Sequence, residues 1–386
     1  MSHTEALHAL VVFGTRPEAI KQAPVIWALR RRPERIRVTA LSTGQHREML
    51  RPMLELLDVA PDVELDLMRP DQTLADVTAR CVTSVEEVLR ALRPDVVVVQ
   101  GDTTTAMAAA LAAFYQHIPV AHVEAGLRSG SMDEPFPEEA NRRVVDLFAR
   151  WLFAPTEEAA ALLANEGVDP ARVLVTGNTV VDALLYVREK LSGRNIAIEG
   201  VPAAALRGER RLVLVTGHRR ESFGDGIASI CDALAILASR HGDADFVYPV
   251  HLNPNVVGPV TERLGGIDNV HLIPPQPYDR FLALLSRAHL VLTDSGGVQE
   301  EAPSFDVPVL VMRNRTERPE GVAAGCARLV GTEAGRIVEA ADELLCDPSV
   351  HARMASAQSP YGDGRAGERI ARALAGAPAE EARLAA

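Results

Sequence analysis

"VVFGTRPEAIKQAP" runs from Val11 to Pro24 and contains in one short stretch the pattern that decides the fold. Three apolar residues lead into Gly14, and a helical segment follows. The stretch also holds Lys21, one of only two lysines in the 386-residue chain, about one helical turn beyond Arg16. A solvated helix lysine is the ordinary interpretation, but in a chain this poor in lysine we expect Lys21 to be functional.

The same alternation of a short apolar strand and a longer amphipathic segment recurs along the chain. Eleven stretches are almost continuously apolar, as parallel strands covered on both faces are; they are ALVVFG, RVTALST, DVVVVQGD, PVAHVEA, WLFAPT, VLVTGN, RLVLVTGH, DFVYPVH, VHLIPP, LVLTDS and VPVLVMR. Helical patterns such as TTTAMAAALAAFYQ separate most of them. Repeated strand–helix units predict an open α/β architecture with parallel sheets and right-handed connections.

The strands fall into two sets, which predicts two domains. A stretch with a weaker pattern and several Gly and Pro residues separates the sets, between about residues 178 and 211. We place an N-terminal domain at 1–178 and a C-terminal domain at 179–362. We expect a helix at about 363–386 to pack back on the first domain.

Composition excludes several classes of protein. A net charge of −12 makes general nucleic-acid binding a poor interpretation. The four cysteines form no CxxC pair, which argues against a zinc knuckle or a redox motif and fits a reducing cytoplasm. No signal peptide is visible, and no apolar run approaches the roughly 18 residues of a membrane span. We therefore expect a cytoplasmic protein without a membrane or nucleic-acid partner.

Six predicted strands end in charged or hydrogen-bonding residues beside small ones. Ligands of open α/β sheets bind at the carboxyl ends of the strands. A single such end is typical of an ordinary turn, but turn chemistry does not require Arg, Asp, Glu and His at successive ends. The residues concerned are Gly14, Arg16 and Lys21; Gly101, Asp102 and Thr103; Glu124, Gly126 and Arg128; Gly217, His218 and Arg219; His251 and Asn253; and Asp294, Ser295 and Gly296.

The segment "TDSGGVQEEAP" predicts a nucleoside-diphosphate site. Backbone N–H groups after Ser295 and Gly296 would point at an anion at the start of a helix, although a plain helix cap is the structural alternative. Glu300 and Glu301 follow one turn later, where a carboxylate can accept both hydroxyls of a ribose. The segment is not a Walker A motif, since no Gly-Lys-Ser/Thr occurs in the chain, and it is not a GxGxxG fingerprint either.

Acid–base residues come from both predicted domains. The candidates are Asp102, Glu124 and Glu138 in the first domain and His218 in the second. If the domains face each other across a cleft, these groups converge with cations that steady a leaving diphosphate, namely Arg16, Lys21, Arg142 and Arg318. Neither HxH nor HExxH occurs, so we expect no metal.

Ten ordered blocks over about residues 11–332 closely resemble the non-hydrolysing UDP-N-acetylglucosamine 2-epimerases. They include FGTRPEAIKQAPV, VQGDTTTAMAAALAAFYQHIPVAHVEAGLRS, PFPEEANRRVVD, VTGHRRESFGDG, TDSGGVQEEAP and TERPEGVAAG. The resemblance implies two Rossmann-like domains facing across a cleft, as in B-type (GT-B) glycosyltransferases. It also implies a cytoplasmic homodimer that interconverts UDP-GlcNAc and UDP-ManNAc without cofactor or metal, for polysaccharide or antibiotic biosynthesis.

Carried onto this sequence, the resemblance implies roles for individual residues. Asp102, Glu124, Glu138 and His218 match the family's catalytic residues. Gln45 and Glu48 lie in the block associated with a second, allosteric UDP-GlcNAc. The residues that match substrate-binding positions are Arg16, Lys21, Arg142, Phe281, Ser295, Gly296, Glu301 and Arg318.

Several alternatives stay open at the level of the sequence. Asn314, Arg315 and Cys326 depart from the family's pattern near TERPE, where they could alter the sugar or nucleotide pocket. A related UDP-amino sugar is therefore an alternative substrate. A B-type glycosyltransferase, a hydrolysing 2-epimerase and a nucleotide-sugar sensor without turnover are alternative functions. The set of acid–base residues argues against the sensor, because binding alone does not need them.

Overall fold

Two parallel sheets, each covered by helices, make up the protein. The computed structural model describes residues 6–44, 47–69, 71–194, 196–217, 224–316 and 318–376. The chain divides into two units, one formed by residues up to Val187 together with those from Tyr361 onward, and the other by Arg188–Pro360. Each unit is described by itself below.

The strands of the described residues follow the predicted apolar stretches and add two short ones. They are β1 (Leu7–Phe13), β2 (Ile36–Ser42), β3 (Val63–Glu64), β4 (Val96–Gln100), β5 (Val120–Val123), β6 (Ala149–Ala154), β7 (Val173–Val175), β8 (Arg211–Thr216), β9 (Ala244–Pro249), β10 (Val270–Ile273), β11 (Ala288–Thr293), β12 (Val309–Val311) and β13 (Ala327–Leu329).

Helices connect nearly every pair of consecutive strands in the described residues. They are α1 (Arg16–Arg30), α2 (Arg47–Leu56), α3 (Leu74–Leu92), α4 (Thr104–Tyr115), α5 (Glu138–Phe148), α6 (Glu157–Asn165), α7 (Thr179–Leu191), α8 (Ala203–Leu206), α9 (Asp225–Arg240), α10 (Pro254–Leu264), α11 (Tyr278–Leu285), α12 (Gly296–Glu301), α13 (Pro319–Ala323), α14 (Ala334–Cys346), α15 (Pro348–Ala355) and α16 (Ala366–Leu374). No helix in these ranges is both long and apolar enough to cross a membrane.

The first unit contains a seven-stranded sheet in the order β3-β2-β1-β4-β5-β6-β7. All of its strand pairs are parallel. Helix α4 covers the sheet with a run of buried alanines, whose small side chains let the helix lie close to the apolar residues of β1 and β4. The second unit contains a six-stranded parallel sheet in the order β10-β9-β8-β11-β12-β13. The predicted α/β class with two Rossmann-like parallel sheets is confirmed.

The boundary between the units differs from the predicted one. We expected the first domain to end at residue 178, but α7 belongs to the first unit as far as Val187. The reason lies in its packing, because Val180, Leu184 and Val187 are buried on α7 and the ring of Tyr186 lies 4.2 Å from that of Trp27. The apolar face of α7 thus extends the core of the first unit. The prediction grouped α7 with the Gly- and Pro-rich stretch that follows it and therefore placed the boundary too early.

The chain returns to the first unit at its C-terminal end. Helix α16 lies against α1 so closely that a Cβ on Gly367 would be 2.6 Å from the Pro24 carbonyl oxygen. The side chain of Asp182 on α7 accepts hydrogen bonds from the first N–H groups of α16, Ala366 at 3.1 Å and Gly367 at 2.9 Å. The described helix ends at Leu374, and residues from 377 onward lie outside the described ranges.

Candidate active site

In each sheet the strand order runs outward in both directions from one pair of neighbouring strands, which is the topological switch point. Predicted site residues follow strands near it. In the first unit this switch point lies between β1 and β4. In the second unit it lies between β8 and β11. The crevice outside the carboxyl ends of two such strands is the usual binding place of an open α/β sheet. The topology therefore supplies one half-site in each unit.

The loop between β1 and α1 is held by Glu18, a residue to which the sequence pattern assigned no role. Its Oε2 accepts hydrogen bonds from the backbone N–H groups of Gly14 at 2.9 Å and Thr15 at 2.7 Å. Its Oε1 accepts from the hydroxyl of Thr103 at 2.6 Å. Burial raises the pKa of Glu18, and these donors act in the opposite direction. Glu18 thereby ties the end of β1 to the end of β4.

Glu124 lies directly after β5 and carries several hydrogen bonds. Its φ of 69° is in the left-handed region, which non-glycine residues rarely adopt. Lys21 Nζ donates to Oε1 and Gln100 Nε2 donates to Oε2, while Asn178 Nδ2 lies 3.4 Å from Oε1. The side chains of Lys21 and Glu124 are only 13% and 8% exposed. Lys21 is therefore not a solvated helix lysine, and a strained residue in a buried ion pair is typical of a functional site.

Asp102 follows β4, the strand next to β5, and is held from α5. Arg142 Nη2 and Nε donate to the same oxygen, Asp102 Oδ2, at 2.5 and 3.1 Å. Asn141 Nδ2 donates to the Asp102 carbonyl oxygen at 2.9 Å. Gly101, with a φ of 69°, would bring a Cβ within 3.5 Å of Glu124 Oε2. Asp102 and Glu124 therefore follow neighbouring strands beside the switch point, and the turn at Gly101 lies against the Glu124 carboxylate.

The two remaining first-unit candidates lie at helix starts. Glu138 is the first residue of α5 and is partly exposed, and Arg16 is the first residue of α1 and is exposed. The neighbour of Glu138 has a different environment. Glu139 is fully buried, with Arg142 Nη1 at 3.1 Å, Arg143 Nε at 2.9 Å and the Ser129 N–H at 3.0 Å from its carboxylate. Of the adjacent glutamates, Glu138 is thus the more accessible one.

The half-site of the second unit is built from hydroxyls and backbone groups. The hydroxyls of Thr216 and Thr293, at the ends of β8 and β11, lie 2.5 Å apart. Thr293 Oγ1 accepts from the Ser295 N–H at 2.9 Å, which fixes the turn into α12. Gly296, the first residue of α12, is buried. Tyr248 donates to the Gly217 carbonyl at 2.8 Å, and burial raises its pKa, so it remains a neutral donor.

Two carboxylates at the end of α12 have different partners. Glu300 accepts from Arg318 Nε, so the arginine expected at the diphosphate forms an ion pair here. Glu301, which is 8% exposed, accepts from the Tyr278 hydroxyl at 3.1 Å through Oε1. Phe281 lies three residues after Tyr278 on α11 and is half-buried. Glu301 and Phe281 therefore belong to the same unit as Ser295 and Gly296.

Three predicted site residues cannot be placed. His218, the catalytic histidine of the prediction, and Gln45 lie outside the described residues. Glu48 is part of α2, but its side chain lies outside the description as well. Within the described ranges, no group of three or more His, Cys, Asp and Glu side chains is arranged to hold a metal ion.

Comparison with known proteins identifies the family. A family model described as UDP-N-acetylglucosamine 2-epimerase matches residues 28–375. The chain belongs to this family. A probable UDP-N-acetylglucosamine 2-epimerase of Ralstonia nicotianae is 54% identical over 368 residues, which cover 95% of this chain and 98% of that protein. The resemblance stated from the sequence motifs is confirmed.

Solved structures agree with this assignment. The UDP-GlcNAc 2-epimerase from Neisseria meningitidis, solved with UDP-GlcNAc bound, is 45% identical with a TM-score of 0.88, over 95% of this chain and 99% of that one. The glycosyltransferase SnogD from Streptomyces nogalater, 20% identical with a TM-score of 0.55, covers 96% of this chain and 100% of that one. At that identity it shares the fold alone, which supports the expected GT-B-like class.

Sequence reasoning missed the partners that hold the candidate residues of this epimerase-family chain. Gln100 and Asn178 contact Glu124, Glu139 contacts Arg142, and Tyr278 contacts Glu301. A usable signal existed for two of them, since Gln100 ends a buried strand and Glu139 follows Glu138 in the quoted block PFPEEANRRVVD. Asn178 and Tyr278 come from distant segments and required the fold.

Proposed function

We propose that this chain is a non-hydrolysing 2-epimerase that interconverts UDP-GlcNAc and UDP-ManNAc. The observation that carries the proposal is the pair of carboxylates Asp102 and Glu124, which follow the adjacent strands β4 and β5 beside the switch point of the first sheet and are each held by a cation. A protein that only binds a nucleotide sugar has no need for two oriented carboxylates there. The relative from Neisseria meningitidis, solved with UDP-GlcNAc, supports the choice of substrate.

The chemistry explains why carboxylates and cations are needed together. The hydrogen on carbon 2 of the sugar is not acidic, because no carbonyl group adjoins that carbon. When the anomeric C–O bond breaks, UDP leaves with the electron pair and the adjacent C–H becomes acidic. A carboxylate takes the proton, a C1–C2 double bond forms, and the products are 2-acetamidoglucal and UDP. Delivery of a proton to the opposite face and return of UDP to carbon 1 give the epimer.

We assign the nucleotide to the second unit. Ser295 and Gly296 start α12, where backbone N–H groups favour the diphosphate. Glu301, whose Oε1 accepts from the Tyr278 hydroxyl, accepts the ribose hydroxyls. Phe281 packs near the uracil, and Arg318, released from or shared with Glu300, adds positive charge.

We assign the proton transfers to the first unit. Asp102 and Glu124 are the primary acid–base groups, with Glu138 as the third carboxylate. Lys21 orients Glu124 through their ion pair, and Arg142 orients Asp102. Arg16, exposed at the start of α1, contributes positive charge toward the leaving diphosphate. We include His218 as a catalytic residue on the basis of its sequence motif alone.

Proton NMR of UDP-GlcNAc with the enzyme in heavy water tests the function. We expect UDP-ManNAc to appear and deuterium to enter carbon 2 of both nucleotide sugars. Release of free ManNAc and UDP would instead identify a hydrolysing enzyme. Transfer to an acceptor sugar without solvent deuterium would identify a glycosyltransferase. Absence of both exchange and product would refute a catalytic function for UDP-GlcNAc.

We further propose that the enzyme is a homodimer, with α4 and α5 at its interface. Phe114, Tyr115 and Leu147 on these helices are 51%, 61% and 73% exposed, and Phe114 stacks on Phe148 at 4.6 Å. Contiguous exposed apolar side chains are typical of an interaction surface. Leu147→Glu should shift the protein from dimer to monomer in analytical ultracentrifugation, whereas Leu252→Glu, at a 74% exposed position outside the two helices, should not.

We also propose a cytoplasmic location. All four cysteines, Cys81, Cys231, Cys326 and Cys346, are free, and the first three are buried. Unpaired thiols are typical of a reducing compartment.

A further inference from the structure

Eight ionisable side chains of the first unit form one continuous series of contacts that begins and ends at the candidate catalytic loop after β4. From Asp146 onward, negative and positive groups alternate. In order they are His122, Asp146, Arg128, Glu166, Arg143, Glu139, Arg142 and Asp102. The sequence spacing does not show that these side chains are in contact. They come from the ends of β4, β5 and α6, from α5 and from the loop after β5.

The series starts at a buried histidine. His122 is fully buried, with Nδ1 at 2.7 Å from Asp146 Oδ1 and Nε2 at 2.8 Å from the Gly101 carbonyl oxygen. A carbonyl oxygen only accepts hydrogen bonds, so Nε2 carries a proton. The other ring nitrogen faces the Asp146 carboxylate, so the ring is held on both sides.

The middle of the series consists of ion pairs around Arg128. Arg128 Nη1 lies 2.8 Å from Asp146 Oδ2, and both side chains are about 5% exposed. Burial opposes ionisation of Asp146, but His122 and Arg128 hold its pKa below the usual value. Arg128 also donates two hydrogen bonds to Glu166, at 2.8 and 2.6 Å. Arg143 Nη1 lies 3.2 Å from Glu166 and continues the series.

The series ends on Asp102. Arg143 Nε lies 2.9 Å from Glu139, and Arg142 joins Glu139 at 3.1 Å to Asp102 at 2.5 Å. Both Arg142 contacts to Asp102 use Oδ2. Since Gly101 and Asp102 are consecutive, His122 holds the peptide immediately before the carboxylate that Arg142 holds by its side chain. The series is thus closed into a ring through one peptide.

We propose that this ring is a positioning device for Asp102, in which His122, Glu139, Arg143 and Glu166 act on the reaction through Asp102 without touching the substrate. A buried charge is costly unless it is paired, so each member of the ring depends on its neighbours. A change at Glu166, on the far side of the ring, leaves Arg128 and Arg143 each without one partner. Both then reorient, and the strain reaches Asp102 through Glu139 and Arg142.

The proposal rests on the epimerase function, and Glu166→Gln tests it. This change removes the charge that Arg128 and Arg143 share, at a side chain that is 36% exposed. We expect kcat to fall about tenfold or more, because a small misplacement of a reacting group has a large effect on rate, while KM stays within about twofold. Arg143→Gln should have a similar effect, and Arg143→Lys should restore part of the activity.

Arg263→Gln is the matched control. Arg263 pairs with Asp232 at 2.5 Å in the second unit, with exposures of 42% and 55% that resemble those of Arg143 and Glu166. Its kcat should stay at the wild-type value. If Glu166→Gln and Arg143→Gln also keep wild-type kcat, or if they raise KM and leave kcat unchanged, the positioning role is refuted.

A second readout is independent of activity. Nitrogen-15 NMR of labelled histidine should find Nε2 of His122 protonated, with the signals assigned through His122→Gln. Glu166→Gln should change these shifts. Unchanged His122 shifts in Glu166→Gln refute the ring even in an active enzyme. If wild-type protein gives no deuterium exchange but the His122 shifts respond to Glu166→Gln, the proposed function fails while the charge ring stands.

Discussion

The two units share one scheme of sheet and switch point but differ in the chemistry that they place there. After β4 and β5 the first unit has carboxylates in ion pairs, Asp102 with Arg142 and Glu124 with Lys21. After β8 and β11 the second unit has threonine hydroxyls and the backbone of a helix start. Fixed charges that can exchange protons suit catalysis, whereas neutral donors suit the binding of a diphosphate. The comparison predicts that changes to the carboxylates of the first unit alter kcat and that changes to the described half-site of the second unit alter KM.

The largest effect is expected when the carboxylates of the first unit are neutralised. Asp102→Asn and Glu124→Gln should each lower kcat by about 10²- to 10⁴-fold, the usual contribution of a positioned acid or base. KM should change little, because neither group binds the nucleotide in the proposal. Initial rates of UDP-ManNAc formation, followed by NMR or a coupled assay, give both constants.

Glu55→Gln serves as the control for these variants. Glu55 lies on α2 and pairs with Arg51 at 3.3 Å, but its side chain is 70% exposed. Surface pairs of this kind contribute little, so rates should equal those of the wild type. A large rise in KM with an unchanged kcat for Asp102→Asn would assign that residue to binding and remove the proposed difference between the units.

Two carboxylates that each accept N–H groups at the start of a helix have pKa shifts of opposite direction. They are Asp182 in the first unit and Asp347 in the second. Burial raises the pKa of Asp182 to about 6, against the N–H groups of Gly367 and Ala366. The exposed Asp347 has a lowered pKa because the Ser349 hydroxyl and the N–H groups of Ser349 and Val350 donate to it. The two groups should therefore affect stability with opposite pH dependence.

The direction in which each carboxylate changes folding stability with pH follows from proton linkage. The folded protein holds the Asp182 proton up to about pH 6, whereas the unfolded chain releases it near 3.8. Stability from Asp182 is thus complete below pH 3.8 and is lost between about 4 and 6, by about 3 kcal/mol at most. Relative to Asp182→Asn, wild-type stability should fall over this window. Relative to Asp347→Asn, it should rise as the pH increases toward 3.8.

Urea unfolding at several pH values measures both differences. Trp27 and Trp151, the two tryptophans of the chain, both lie in the first unit, so fluorescence follows that unit while circular dichroism follows the whole protein. A stability difference for Asp182→Asn that is constant from pH 4 to 7 would mean that the carboxylate is solvated and that α16 is held by other contacts.

Much of the fold could be predicted from the sequence, and the exceptions have a physical reason. Every predicted strand exists, because a strand buried on both faces must be apolar throughout. The two strands that escaped prediction, β3 and β13, have two and three residues and lie at the edges of their sheets. Of their residues only Ala327 is buried, and Glu64 and Leu329 are exposed, so no buried apolar run marks them.

The candidate site could be predicted in part. Residues at strand ends, such as Asp102 and Glu124, were accessible from the rule that parallel strands place their carboxyl ends at one edge. Their partners were not, because a hydrogen bond depends on side-chain positions that no local pattern encodes. Lys21 illustrates the limit, since its scarcity indicated a function, whereas its pairing with Glu124, 103 residues away, required the structure.

The smallest expected effect concerns the second unit, to which the comparison assigns nucleotide binding. Glu301→Gln should raise KM and the Kd for UDP by about ten- to hundredfold, because an amide replaces a charged acceptor that is worth about 1.5–3 kcal/mol. kcat should stay within about threefold, since the nucleotide contact is the same before and after bond cleavage. Tyr278→Phe, which removes the 3.1 Å hydrogen bond to Glu301, should produce a change of the same kind but only about two- to tenfold.

Calorimetric titration with UDP separates binding from rate, and Arg280→Gln is the matched control. Arg280 lies on α11 between Tyr278 and Phe281 and is exposed, so its replacement should leave the Kd unchanged. If Glu301→Gln lowers kcat as strongly as Asp102→Asn and binds UDP normally, the second unit takes part in the chemical step. The division of labour inferred from hydroxyls in one unit and ion pairs in the other would then be wrong, because a carboxylate of the binding half-site would be acting on the sugar.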